Sequence, residues 1–269
     1  MDSPNQFAML VCGPMLNNKM KEKLAAGQPV FGLSVMIPSP QIVEMAGRLG
    51  FDWVLIDFEH GAITQETLQS MVMAAESSGI TPIARPAGQS EQEISRLLDA
   101  GVLGLQVPHV NTAEEAAAVV AAVKFHPLGQ RGLAVGTRAA HYGIGLSQAE
   151  FVAQANKATL VCVQIEELPA LDNIEAICAV PGVDVVFVGP SDLSQALGVP
   201  GQHDAPVLQE TMRKAFAKII ATGKWAGTTG EAAQLRAYRK LGVSYCYTHV
   251  TRILRMGTAE FFKGAKDQA

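Results

Sequence analysis

The chain has 269 residues, 48% of them hydrophobic, 17% charged and 6% aromatic, and carries a net charge of −4. That composition supplies an aliphatic core for one α/β domain of about 250 residues, offers no basic face to nucleic acid, and holds no run near the ~18 apolar residues of a membrane span. No basic stretch followed by a long apolar one opens the chain, and Cys12, Cys162, Cys178 and Cys246 fall at no metal-ligand spacing, so a cytoplasmic protein with reduced thiols is expected.

Residues 1–16 show no period and read as an irregular arm. Residues 17–27 read as a helix, with Asn to cap it and Gly27 to end it. Alternation follows. Strands are expected at residues 30–36, 52–56, 81–84 and 103–107, with helices at 40–49, 65–77, 89–99 and 112–123 between and after them. Gly50, Gly79 and Gly101 close the first three of those helices. Residues 125–146 form a longer irregular stretch containing Arg131, Arg138, His141 and Tyr142. After a helix at 147–156 come strands at 160–165, 184–188, 224–227 and 243–247. Their helices fall at 168–179, 192–197 with 207–222, 231–241 and 250–262.

Eight strand–helix units without a break in composition imply a parallel sheet closed into a single (β/α)8 TIM barrel spanning residues 1–269, its core at about 28–250. An open doubly wound sheet is the alternative. It is disfavoured because no GxGxxG follows the first strand.

In such a barrel, chemistry collects where the strands end. Asp57-Phe58-Glu59-His60 follows the second strand, Arg85 the third, Pro108-His109 the fourth, Gln164 and Glu166 the fifth, and Gly189-Pro190-Ser191-Asp192 the sixth. Glu166 and Asp192 are hard oxygen ligands about one strand–helix unit apart, suited to Mg²⁺ or Mn²⁺. Gln164 is placed to fix a substrate oxygen or to tie down a loop. The turn at Gly189, Pro190 and Ser191 opens a helix whose N–H groups suit a carboxylate. Arg85 suits a developing enolate. His60 is the candidate general base, since imidazole titrates near neutral pH; Asp57 or Asp99 is placed to orient it. His109 and His141 come first among histidines held in reserve for substrate contacts, with His126, His203 and His249 behind them. No lysine ends a strand, so carbonyl activation through a Schiff base is not expected.

The strings LIDFEHG (55–61), IARP (83–86), RLLDAG (96–101), VPHVNTAEEA (107–116), VQIEE (163–167) and VFVGPSDLSQALG (186–198) resemble the HpcH/HpaI family of class II, metal-dependent pyruvate aldolases. The resemblance implies a (β/α)8 barrel, a homo-oligomer (hexamer or trimer) and a last helix exchanged between subunits. It implies Mg²⁺, Mn²⁺ or Co²⁺ on Glu166 and Asp192, with the pyruvate part on Gln164 and the Ser191 backbone. His60 then matches the base, Asp99 the residue that raises its basicity, and Arg85 the residue that stabilises the transition state. Asp57 lies beside His60 in the same motif. The chain departs from the family at His109, across residues 124–143 and at YTHVTRIL (247–254), which lacks an Asp common near there.

The implied reaction is reversible cleavage of a 4-hydroxy-2-oxo acid to pyruvate and an aldehyde. A related metal-enolate reaction on a CoA ester or oxaloacetate is the alternative, with a non-catalytic barrel that binds metal or keto acid behind it.

Overall fold

The structure is a computed structural model in which residues 16–266 are described. All but the last residue of the arm expected at residues 1–16 lies outside them, as does Cys12. Eight parallel strands close a barrel in sequence order: β1 (Val30–Val35), β2 (Trp53–Asp57), β3 (Thr81–Arg85), β4 (Gly104–Val107), β5 (Leu160–Ile165), β6 (Val185–Val188), β7 (Trp225–Thr229) and β8 (Tyr245–His249). The open-sheet alternative is thereby excluded.

The strands are almost continuously buried, so hydrophobicity alone does not tell their two faces apart. Packing does. Leu33, Val54, Ile56, Val161, Val163 and Val186 pack outward against the helices. Val30, Trp53, Leu55, Ile83, Leu160, Cys162, Phe187 and Tyr245 fill the barrel interior. The interior is tightest where Gly32 faces the fully buried Trp53; a Cβ at residue 32 would overlap the indole ring. Gly32→Ala is therefore expected to cost about 1–3 kcal/mol through overpacking, read as a lowered urea midpoint at unchanged m-value.

The lower mouth of the barrel, at the strand N-termini, is closed by α1 (Lys19–Ala25). Asn18 caps it by accepting from the Lys21 N–H, and its amide donates to the carbonyls of Leu103 and Ala158 at 3.0 and 2.9 Å. This anchor inserts Met20 and Leu24 into the interior cluster.

The outer layer comprises α2 (Pro40–Arg48), α3 (Gln65–Ser78), α4 (Glu91–Asp99), α5 (Ala113–Val123), α6 (Gln148–Ala158), α7 (Leu168–Asp172), α8 (Ile174–Ala179), α9 (Pro190–Ala196), α10 (Pro206–Ala221), α11 (Ala232–Lys240) and α12 (Val250–Lys266). The single helix expected at residues 168–179 is broken at Asn173, whose side chain donates to the Asn111 carbonyl at 2.8 Å. The irregular stretch after α5 contains one 3-10 turn, Arg138–Gly143, with Arg138 paired to Glu76. Cys162, Cys178 and Cys246 are buried free thiols. Among the described residues no helix is long and apolar enough to cross a membrane.

Candidate active site

On β2, β3, β4 and β5 the inward column turns polar toward the C-terminal end, at Asp57, Arg85, Gln106 and Gln164. Asp57 on β2 and Arg85 on β3 are paired in register. Arg85 donates from Nε to Asp57 Oδ1 at 3.0 Å and from Nη2 to Oδ2 at 2.6 Å, a two-pronged pair with 0% of Asp57 and 6% of Arg85 exposed. Burial opposes the guanidinium charge, but the hydrogen bonds it donates to Asp57 and the charges around it hold its pKa above the ordinary value. The second guanidinium edge, Nη1, meets Glu59 Oε2 at 2.9 Å.

Asp57 Oδ1 also accepts the backbone N–H groups of Glu59 and His60, at 3.1 and 3.3 Å. It therefore fixes the turn that presents His60 rather than the imidazole itself. The His60 side chain is 58% exposed, and its nearest carboxylate is Glu59, 3.8 Å from Nε2. Asp99 does not join this group within the chain. It ends α4, next to the lower mouth, where its Oδ1 accepts from Arg131 at 2.7 Å. The cation that answers its charge at a helix C-terminus comes from the loop after α5.

On the opposite wall Glu166, 2% exposed, leaves β5. Oε2 accepts from Gln164 Nε2 at 2.8 Å, and Gln164 in turn accepts from Gln106 on β4. Oε1 accepts the backbone N–H of His109 at 2.9 Å, made available by a left-handed φ of 57° at that histidine. Burial first, then the charges of Asp192 and Glu59, raise the Glu166 pKa above its usual range; the His109 N–H and ring oppose the shift. Asp192, in the first turn of α9, thus faces Glu166. It does not cap its helix: the N-cap is Gly189, without a side-chain cap. Gly189 is a close-approach glycine, since a Cβ there would lie 2.7 Å from Glu166 Oε2.

His109 is more central than a reserve residue. Nδ1 lies 2.9 Å from Glu167 Oε1 and 3.4 Å from Glu166 Oε1, and Nε2 lies 3.2 Å from Glu59 Oε1. Burial lowers its pKa, but Glu166, Glu167 and Glu59 outweigh burial and raise it. Glu59 thereby links His60, Arg85 and His109. Tyr247 and His249 on β8 complete the bowl. The strand runs to residue 249, two beyond its expected end, so the alternation Tyr245, Tyr247, His249 places all three inward and moves His249 from a loop into the bowl. His141 lies in the 3-10 turn after α5, away from these residues.

Glu166 and Asp192 suit a divalent cation: both are hard oxygen donors, and a cation would offset the burial and the Asp192 and Glu59 charges that raise the Glu166 pKa. Among the described residues no group of three or more His, Cys, Asp and Glu side chains surrounds one point. The protein would therefore contribute two carboxylates, leaving the remaining positions to water and substrate oxygens. The buried lysine Lys124 stands elsewhere. Burial first, then Lys21, lowers its pKa to about 8, and it donates to the carbonyls of Asn156 and Thr159, beside the N-terminal end of β5.

A closed barrel with an acidic pair, a buried arginine and a histidine gathered at the strand C-termini defines an enzyme of the α/β-barrel type. The chain belongs to the HpcH/HpaI aldolase/citrate lyase family, which matches residues 31–242. It is 37% identical over 244 residues to the hydroxypyruvate/pyruvate aldolase of Cupriavidus necator, covering 90% of each chain. It is 38% identical over 229 residues to the 5-keto-4-deoxy-D-glucarate aldolase of Salmonella paratyphi C, covering 85% of this chain and 88% of that one. A crystal structure of an HpcH/HpaI aldolase/citrate lyase family protein from Burkholderia cenocepacia superposes with a TM-score of 0.86 at 30% identity, covering 93% of this chain and all of the other.

Proposed function

We propose that the protein cleaves a 4-hydroxy-2-oxo acid reversibly to pyruvate and an aldehyde. The observation that carries this reading is the presence of a buried carboxylate, Glu166, and a buried guanidinium, Arg85, both at the strand C-terminal ends of one barrel. Glu166 and Asp192 would hold a divalent cation (Mg²⁺, Mn²⁺ or Co²⁺), which when bound polarises the 2-oxo group. Gln164 and the Gly189-Pro190-Ser191 turn bind the pyruvate half. His60 takes the C4 hydroxyl proton, directly or through water, and the C3–C4 bond breaks. Arg85, held in place by Asp57, stabilises the enolate that results, and protonation of its carbon gives pyruvate. With Asp99 beside the lower mouth of its own barrel, the role the resemblance implies for it is open only to a second copy whose lower mouth meets this bowl.

The reading includes a cytoplasmic homo-oligomer, hexameric or trimeric. It is supported by α12, which leaves Ile253, Leu254, Met256, Phe261 and Phe262 exposed and is placed to lie against a neighbouring copy. The family's description also covers citrate lyase, but the two curated relatives compared above are both aldolases, so the CoA-ester or oxaloacetate alternative is not favoured.

Pyruvate release from a 4-hydroxy-2-oxo acid should vanish after thorough chelation and return with added Mn²⁺. His60→Ala should lower kcat by about 10²–10⁴-fold while leaving Mn²⁺ binding, read by paramagnetic resonance, intact. Full activity of the chelated protein would remove the metal from the mechanism, and an unchanged kcat would remove His60 from the role of base.

A further inference from the structure

Barrel interiors are filled mainly by branched apolar side chains, yet two inward positions on adjacent strands here are glutamines. Gln106 on β4 is 0% exposed and Gln164 on β5 is 1% exposed. Register pairs Gln106 with Cys162, so Gln164 stands one inward position nearer the bowl. Glu166 follows two residues later. The three side chains form a relay: Gln106 Nε2 donates to Gln164 Oε1, and Gln164 Nε2 donates to Glu166 Oε2 at 2.8 Å.

The relay fixes which way the Gln164 amide faces. A glutamine amide has one oxygen acceptor and two N–H donors. Gln106 occupies the oxygen, and Glu166 occupies one N–H. Turning the amide over would set its oxygen against the Glu166 carboxylate and its NH2 against the Gln106 NH2, so both bonds would be lost. The bond to Glu166 alone would let the amide pivot about its nitrogen. The second bond, at the oxygen, stops the pivot and gives the remaining N–H one direction.

Gln106 is poorly paired for a purely structural role. Its Oε1 is buried and has no hydrogen-bond partner among the described residues. A buried acceptor left idle costs stability that an apolar side chain of the same volume would not; Leu55, Ile83 and Phe187 fill the same interior without that cost. Tyr247, 3% exposed, borders Gln106 from β8: burial raises the phenol pKa, while Arg85 and the Gln106 amide oppose the rise. Gln106 thus lies under the floor of the bowl. Fully buried there, it does not touch a ligand and acts on one through Gln164.

We propose that Gln106 is a positioning residue for the keto-acid site, orienting the Gln164 amide so that its free N–H donates to an oxygen of the pyruvate half. This rests on the aldolase reading, in which Gln164 holds that half.

The test is a double-mutant cycle built from Gln106→Met, which keeps length and removes the donor, and Gln164→Met. Pyruvate is titrated calorimetrically into the Mn²⁺-loaded proteins, and Mn²⁺ affinity is read separately by paramagnetic resonance. Gln106→Met should weaken pyruvate binding by about 5- to 10-fold, the scale of one neutral hydrogen bond, and leave Mn²⁺ affinity unchanged. Its Tm should stay near wild type, because the idle Gln106 Oε1 is removed as Gln164 Oε1 becomes idle. In cleavage the loss should appear in KM with kcat nearly unchanged, since the contact is made in ground and transition states alike. The decisive outcome lies in the Gln164→Met background, where Gln106→Met should have no further effect. A loss of the same size there would make Gln106 a packing residue and overturn the proposal. So would equal pyruvate affinity in wild type and Gln106→Met, which leaves the aldolase reading standing. If the wild-type protein binds no pyruvate, that reading falls and the positioning role falls with it. Should Gln106→Met fail to fold, Gln106→Asn, which keeps the amide but withdraws it by one methylene, carries the same cycle.

Discussion

Asp57→Ala should lower the unfolding free energy by about 3 kcal/mol and reduce aldol cleavage by at least about 10²-fold. Both effects come from one guanidinium. Arg85 is 6% exposed and cannot be deprotonated, so without Asp57 it keeps its charge in a site closed to water. Breaking a buried pair from one side costs about 3–5 kcal/mol; the lower end applies because Glu59 still meets Nη1 at 2.9 Å. The same deletion frees the Glu59 and His60 N–H groups that Asp57 Oδ1 accepts, so the turn carrying the base loosens as the arginine turns away. For a chain of this size the stability loss corresponds to a fall in Tm of roughly 6–12 °C. Asp57→Asn preserves shape but points an N–H at the guanidinium, and should recover little. Wild-type kcat in a folded Asp57→Ala protein would show that Arg85 is positioned by something else.

The sequence made the barrel legible because each strand is a short apolar run closed by Gly or Pro chemistry, and the repeat occurs eight times. It also exposed Asp57, Arg85 and Glu166, since each ends such a run with a charge. What stayed hidden depended on partners distant in the chain. Asp99 puts a negative charge at a helix C-terminus, and the cation that answers it within the chain is Arg131, 32 residues later. Glu59 stands in the same string as His60, yet its contact with His109 exists only once β2 and β4 share a barrel. The left-handed backbone at His109, which aims an N–H at Glu166, has no signature in residue type. His249 stood last among the reserve histidines for a simpler reason: placing the end of β8 two residues early turns an inward strand position into a loop.

Glu166→Gln separates the two demands on that carboxylate. Glu166 is 2% exposed, and burial, then Asp192 and Glu59, raise its pKa in the metal-free protein. A raised pKa means that the folded chain holds this proton more tightly than the unfolded chain. The group therefore favours folding at acid pH and opposes it as pH rises through the folded value. Glutamine keeps the volume and removes the charge, and its oxygen can still accept the His109 N–H. The metal-free variant at neutral pH should thus be at least as stable as the metal-free wild type. Added cation should reverse the order. A ligand at about 100 times its Kd stabilises a folded protein by about 2.7 kcal/mol, which raises Tm by roughly 5–10 °C here. Calorimetric scans of chelated protein, with and without Mn²⁺, should show that rise for wild type and none for Glu166→Gln. An equal rise in both proteins would place the ion elsewhere. Asp192→Asn provides the contrast: that side chain is exposed, so its charge should matter little to the metal-free fold while its loss still weakens the Mn²⁺ response.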